Sequence, residues 1–218
     1  RSSKKEFEES KETGQDPVLV QAGWVLTRKP DRIKARLVGQ EFAIGERQDE
    51  LFCSTPRQVS HRLVLAQALR KQWKAVIGDV VTAFLNAALK GRRIFVKPPS
   101  TEMEKEELDF LWELLKALYG LRASPKRFSE FFAAAIQKTG WQRVLGEPQL
   151  FWNPRMDGAL MAVHTDDILL TASDSDIEKV QAEIGLEMEV KWKGEIGKEW
   201  TKFLGLEWRR PKDKRSFQ

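Results

Sequence analysis

The 218-residue chain reads as an α+β protein built on a mostly antiparallel sheet. Three observations predict this class. Short β-prone apolar runs recur, and two of them are interrupted by carboxylates: Ala75-Val76-Ile77-Gly78-Asp79-Val80-Val81 and Ala162-Val163-His164-Thr165-Asp166-Asp167-Ile168-Leu169-Leu170. Segments with helical spacing, opened by Thr-Pro or Ser-Pro and closed by glycine, stand between those runs. The resulting order is a basic hairpin, a helix, then strand–helix–strand–strand–helix–strand. Such an order builds a split βαβ core, a mostly antiparallel sheet with helices on one face.

Residues 1–16 are polar and charged and read as a frayed, disordered lead-in. Residues 18–28 and 33–42 alternate as strands, joined by the turn-forming Lys29-Pro30-Asp31. Thr55 as N-cap and Pro56 at the first helical position open a helix to about residue 72, with Val59, Leu63, Ala66 and Leu69 on one face. A strand over 73–80 leads into a helical turn through Ala83-Phe84-Leu85, and a short strand at 93–97 is stopped by Pro98-Pro99. From about 101 to 119, Leu108, Leu111, Trp112, Leu115 and Leu118 form a helical stripe that Gly120 ends. Ser124-Pro125 starts a second helix, closed near Gly140. Residues 149–153 and 159–165 read as hairpin strands, and 168–171 continues beyond the double aspartate. Ser173 or Asp174 caps a helix to about residue 187, and one strand over 202–208 closes the chain. There is no internal repeat and no low-complexity tract.

Composition narrows the chemistry. Hydrophobic residues make up 41% and charged residues 32%, enough for a core and too apolar for wholesale disorder. No apolar run approaches the roughly 18 residues of a membrane span, and the charged start is no signal peptide. Arg1 in place of a start methionine points to a fragment or a processed piece. The lone cysteine, Cys53, excludes an internal disulfide and suits a reducing compartment. With His61 and His164 as the other soft ligands, a structural zinc site lacks donors, so a metal here would be a hard ion held by oxygen.

The net charge of +5 and pI of about 9.3 favour a polyanionic partner. The basic residues cluster: Arg28, Lys29, Arg32, Lys34 and Arg36; then Lys116, Arg122, Lys126, Arg127, Lys138 and Arg143; then a tail with Arg209, Arg210, Lys212, Lys214 and Arg215. Each cluster also reads as a solvated face. Charge within an apolar strand is costly unless it is paired or holds a metal. Successive strand side chains face opposite ways, so Asp166 and Asp167 share one site only at a hairpin tip. Asp79 and Asp166 at the ends of adjacent strands would hold two divalent ions about 3.5–4 Å apart for an in-line displacement. The same residues also read as a cap and a plain turn.

An ordered series of motifs over roughly residues 24–208 resembles the reverse transcriptase of Copia-type LTR retrotransposons. Ile33-Lys34-Ala35-Arg36-Leu37-Val38 resembles the family's KARLV segment, and Gly78-Asp79-Val80-Val81-Thr82-Ala83-Phe84-Leu85 its LDVxxAFL motif. Ile94-Phe95-Val96-Lys97-Pro98-Pro99 resembles the following proline-ended strand. Leu118-Tyr119-Gly120-Leu121-Arg122-Ala123-Ser124-Pro125 is similar to SLYGLKQSP. His164-Thr165-Asp166-Asp167-Ile168-Leu169-Leu170 stands where the family has YVDDILI, and Lys202-Phe203-Leu204-Gly205-Leu206-Glu207 looks like its late FLG motif.

The resemblance implies a right-hand polymerase: fingers at 17–72, a ferredoxin-like palm at 73–210 with interleaved fingers helices at about 101–140, a basic tail at 211–218, and no thumb or RNase H domain. It implies an RNA-directed DNA polymerase using two Mg2+ or Mn2+ ions, a primed RNA or DNA template and dNTP. Asp79 and Asp166 would hold the metals with the Val80 carbonyl, and Asp167 would support them. Lys34 and Arg36 would clasp the triphosphate, with Lys29 an alternative, beside Ala83, Tyr119 and the steric-gate ring of Phe84. Gly120, Ser124, Pro125, His164, Phe203, Leu204 and Gly205 would meet template and primer. The same resemblance implies an intracellular, cytoplasmic location, in virus-like particles or with a nuclear phase, and other Pol domains as partners; it leaves the oligomeric state open.

Two departures are visible: His164 replaces the usual tyrosine, and Gly78 replaces a large apolar residue and should loosen packing. A decayed module that binds nucleic acid without polymerising is the alternative. A ribonuclease-H-like nuclease or integrase core fits the motif order poorly.

Overall fold

A computed structural model of the chain describes residues 2–14, 16–41, 57–99, 110–211 and 216–217. In chain order the elements are β1 (Ser2–Ser3), α1 (Lys4–Glu12), β2 (Val18–Arg28), β3 (Ile33–Gly39), α2 (Gln58–Lys71), β4 (Lys74–Val80), α3 (Ala83–Asn86), β5 (Ile94–Lys97) and β6 (Phe110–Glu113). They continue with α4 (Ser124–Gln137), β7 (Gln142–Val144), β8 (Glu147–Asn153), β9 (Ala159–His164), β10 (Asp167–Ala172), α5 (Asp174–Glu187), β11 (Val190–Glu195), β12 (Thr201–Phe203) and β13 (Leu206–Trp208). The mixed α/β class with mostly antiparallel pairing is as the sequence predicts. The chain divides into two compact units, Arg1–Phe52 with Phe84–Phe128, and Cys53–Ala83 with Ser129–Gln218.

The first unit holds a sheet of order β1-β6-β5-β2-β3. Its β2–β3 hairpin forms across Lys29-Pro30-Asp31, with Thr27 opposite Lys34 and Val25 opposite Arg36; β2 pairs in parallel with β5. The start of the chain is not a frayed lead-in. Residues 4–12 form α1 because Phe7 supplies one apolar anchor: it is buried against Phe95, ring centroids 5.4 Å apart, in a small core with Leu111.

The helix expected over 101–119 is also corrected. Residues 101–109 lie outside the described residues, and Phe110–Glu113 is strand β6, pairing Phe95 with Glu113 and Val96 with Trp112. Leu111 is buried and Phe110 exposed, a period of two that prevails once a neighbouring strand offers backbone partners. Gly39 and Gly120 meet where no side chain fits: a Cβ on Gly120, whose φ is +87°, would lie 2.0 Å from the Gly39 carbonyl oxygen. The Gly39 amide donates to the Tyr119 carbonyl at 2.7 Å.

The second unit is built on the antiparallel sheet β11-β4-β10-β9-β8-β7. Strands β4, β9 and β10 are buried almost throughout, so both faces of the sheet are covered rather than one. Alternation places Ala75, Ile77 and Leu169 on the face packed by Val64, Leu65 and Ala68 of α2. The opposite face carries Phe151, which meets Phe132 of α4 at 5.9 Å, and Val76, which shares a cleft with Ile177 of α5.

Three element predictions change in this unit. Thr55 and Pro56 lie outside the described residues, and α2 runs from Gln58 behind an extended Arg57 that makes no side-chain cap. Its buried residues are Ser60, Val64, Leu65 and Ala68 in place of the expected Val59, Leu63, Ala66 and Leu69; Val59 and Leu63 are exposed. The closing strand is a hairpin, β12 and β13, turning at Leu204 and Gly205 with φ of +50° and +77°. Strand β11, not expected at all, pairs with β4. Helix α5 begins as predicted, with the Ser173 hydroxyl accepting from the Asp176 amide.

Candidate active site

Strands β4 and β10 lie side by side and antiparallel, and their register sets Asp167 directly opposite Asp79. Opposed residues of such a pair project to one face, so both carboxylates emerge on the α2 side, beyond the apolar pair Leu169–Ile77. Asp166 sits in the two-residue loop between β9 and β10, and its carbonyl accepts a 2.7 Å hydrogen bond from the Val80 amide. The hairpin tip is thereby fixed to the end of β4 one residue after Asp79. Adjacent-strand placement of the carboxylates is as expected from sequence, with Asp167 rather than Asp166 the register partner.

The backbone is strained on both sides of this cluster. Thr165 (φ +55°) precedes Asp166 and Thr82 (φ +48°) follows the Asp79 strand. Both are β-branched residues in the left-handed region, where such side chains are unfavourable by about 1–3 kcal/mol and which functional sites over-represent. Positive φ at Thr165 alone of the loop pair gives the turn a II′-like character, a position that ordinarily selects glycine.

A lysine that sequence reasoning passed over completes the cluster. Lys193 Nζ lies 3.3 Å from Asp79 Oδ1 and 3.6 Å from Asp167 Oδ1. It is placed by β11, where Lys191 stands opposite Asp79 and Trp192 opposite Gly78, and the register then slips between Trp192 and Gly194. Lys193 is the extra residue of that bulge, which re-aims its side chain. The strand-like alternation Val190-Lys191-Trp192-Lys193 was the available signal. Burial raises the Asp167 carboxyl above its usual range, the neighbouring Asp166 and Asp79 charges add to the rise, and the Lys193 ammonium opposes it.

Gly78 does not loosen this region. A Cβ there would lie 2.9 Å from the Trp192 ring and 2.9 Å from Val190, so the indole occupies the space that a larger residue would take. His164 ends β9 opposite Asp167, and its charge adds to burial in lowering the pKa of His61 on α2. The His61 ring meets Phe203 at 5.6 Å, so the Phe203-Leu204-Gly205 turn packs back onto α2 within this unit.

The remaining predicted residues lie in the first unit, with Ala83 ending the second. Lys34 is exposed and Arg36 half-buried on one face of β3. The Phe84 ring is buried on Tyr119, centroids 4.6 Å apart. Ser124 is buried and donates to the Leu118 carbonyl at 2.6 Å, which closes the loop carrying Gly120. Of the basic tail, residues 212–215 lie outside the described residues.

Among the described residues no three His, Cys, Asp or Glu side chains form a ready metal cage. What is present is a carboxylate pair already converging on one cationic atom, so the donor set suits a hard cation held by oxygen. Among the described residues no helix is long and apolar enough to cross a membrane.

Residues 12–214 match the family described as reverse transcriptase (RNA-dependent DNA polymerase). The chain is similar to a transposon Ty5-1 protein of Saccharomyces cerevisiae, 34% identical over 130 residues that cover 59% of this chain and 41% of that protein. It is also similar to the retrovirus-related Pol polyprotein from transposon RE2 of Arabidopsis thaliana, 29% identical over 170 residues (74% of this chain, 12% of the polyprotein). The corresponding RE1 polyprotein of the same plant is 29% identical over 165 residues, 72% of this chain and 11% of its own length. The chain thus spans less than half the length of these curated relatives.

Proposed function

The chain belongs to the reverse transcriptase family, in its Copia-type branch, and we propose that it is the fingers and palm region of an RNA-directed DNA polymerase, transferring nucleotides from dNTP to a primer 3′-hydroxyl. The observation that carries this reading is the convergence of Asp79 and Asp167 on one positive charge at the ends of adjacent strands, with Asp166 beside Asp167 at the hairpin tip. Asp79 and Asp166, with the Val80 carbonyl, are the groups that would hold divalent metal, and Asp167 supports them. Bound Mg2+ or Mn2+ would neutralise triphosphate charge and activate the primer hydroxyl.

The chain's own side chains supply the rest. The Asp166 carbonyl–Val80 amide bond keeps the hairpin tip against β4, so Asp166 in the loop is held beside the strands that carry Asp79 and Asp167. Lys34 offers a point charge and Arg36 a planar fork to the triphosphate. Phe84, held on Tyr119, presents a ring against a sugar 2′ position and rejects ribonucleotides. The close Gly39–Gly120 contact leaves a side-chain-free surface for a base pair, and the Ser124-Pro125 helix start faces backbone phosphate. The Phe203-Leu204-Gly205 turn holds the primer strand beside His164. On this reading synthesis takes place inside the cell, as one region of a longer Pol polyprotein.

The test is metal-dependent dNTP incorporation on a primed RNA template. Asp79→Asn and Asp166→Asn are each expected to lower incorporation by at least 10²-fold while primer–template binding persists. Undiminished extension by both variants would sink the carboxylate assignment. Tight binding with no incorporation by the parent chain would favour a module that only binds.

A further inference from the structure

We propose that Lys193 is a tethered counter-ion of the carboxylate pair, which occupies the cation position between Asp79 and Asp167 and has to withdraw before a divalent ion binds there. This inference rests on the metal-binding role proposed for Asp79. Its geometric basis is direct: one ammonium nitrogen lies 3.3 Å from an Asp79 oxygen and 3.6 Å from an Asp167 oxygen. An ammonium and a hydrated divalent cation cannot share that place, because each would repel the other at contact distance.

The placement is built rather than incidental. Lys193 is the unpaired residue of the β11 bulge, two positions beyond Lys191, which stands opposite Asp79. Trp192 anchors the bulge by filling the space above Gly78, where a Cβ would lie 2.9 Å from its ring. The Lys193 side chain is 47% exposed, so it has an open path outward into solvent. Lysine suits the role: a compact charge on a flexible stem can leave and return without rearranging the strand, whereas a planar fork would lock onto the carboxylates. The device keeps the facing Asp79 and Asp167 charges compensated when no metal is bound and makes the site's metal affinity a competition.

The experiment titrates Mn2+ into the 218-residue chain, following free Mn2+ by electron paramagnetic resonance, for the parent, Lys193→Met, Lys193→Arg and Asp79→Asn. Lys193→Met is expected to tighten the Kd for Mn2+ by about three- to tenfold, and Lys193→Arg to leave it equal or weaker. Thermal unfolding supplies a second readout. Lys193→Met should lower Tm in chelator and regain the parent value in saturating Mn2+, which a merely structural lysine would not do. Unchanged or weaker Mn2+ affinity in Lys193→Met, with binding still lost in Asp79→Asn, would overturn the Lys193 proposal alone. Mn2+ binding that survives Asp79→Asn would overturn the metal-site reading beneath it.

Discussion

At the scale of single residues, the site is shaped by pairs whose members explain each other. Gly78 looks from sequence like a weakened strand position, yet Trp192 rests where its side chain would be. Restoring a large residue is therefore predicted to harm the protein. Gly78→Val forces a branched side chain against an indole 2.9 Å away and should cost about 1–3 kcal/mol of unfolding free energy. Adding Trp192→Ala to Gly78→Val should recover most of that loss, although Trp192→Ala is destabilising alone. A double-mutant cycle in urea checks this, and additive effects would show that the two residues are not coupled. Gly120 is a harder constraint, since its φ of +87° and the Gly39 carbonyl standing where a Cβ would be exclude every side chain. A glycine facing a side chain and a glycine facing backbone look identical in sequence; the partner decides between them.

At the scale of elements, tertiary partners overrode local patterning twice. The stripe of Leu108, Leu111, Trp112, Leu115 and Leu118 is a fair helix signal, but β5 offers Phe95 and Val96 to pair with, and 110–113 becomes a strand. The start of the chain went the other way. One phenylalanine in a charged segment sufficed for a helix because Phe95 and Leu111 were waiting to cover it. An ion pair ties this region together: Arg93 donates from Nε to Glu113 Oε1 at 2.6 Å and from Nη2 to Oε2 at 2.8 Å, while Nη1 reaches Ser10 on α1. The hydrogen bonds from Arg93 hold the Glu113 carboxyl below its ordinary value.

The sign of the resulting pH dependence follows. A carboxylate with a depressed folded pKa contributes stability that is present above its unfolded value of about 4.5 and is lost as pH falls through the folded value. Glu113→Gln should therefore be less stable than the parent at pH 7, with the difference closing below pH ~4. Thermal midpoints across that range measure it. A constant difference at all pH values would mean that packing, not charge, is what Glu113 contributes.

At the scale of the whole molecule, charge and family membership combine. A net charge of +5, concentrated in the β2–β3 hairpin and around α4, suits a chain that handles polyanions. Primer–template affinity should therefore weaken with salt, by at least tenfold between about 50 and 200 mM, since each neutralised phosphate contributes about −0.9 to the log–log slope. A fluorescence titration at several salt concentrations gives the slope. A flat dependence would mean that the basic clusters are solvated faces and that contact with nucleic acid lies elsewhere.

The order of motifs in the chain was enough to place it in its family, because Asp79 in an apolar strand, the Asp166-Asp167 doublet and the glycine-marked turns are each local patterns legible along the chain. The α+β class, the hairpin across Lys29-Pro30-Asp31 and the Ser173 cap were legible for the same reason: turns and caps are settled by neighbours in sequence. The true face of α2, the strand at 110–113, the use of α1 and the pairing of β11 with β4 were decided by residues tens of positions away. Lys193 shows the division most clearly. Its alternation with Trp192 marks it as a strand residue, but only the pairing of β11 with β4 brings its charge to Asp79. Local chemistry is written along the chain, whereas which charge meets which depends on strand register, and that is determined only when the sheet assembles.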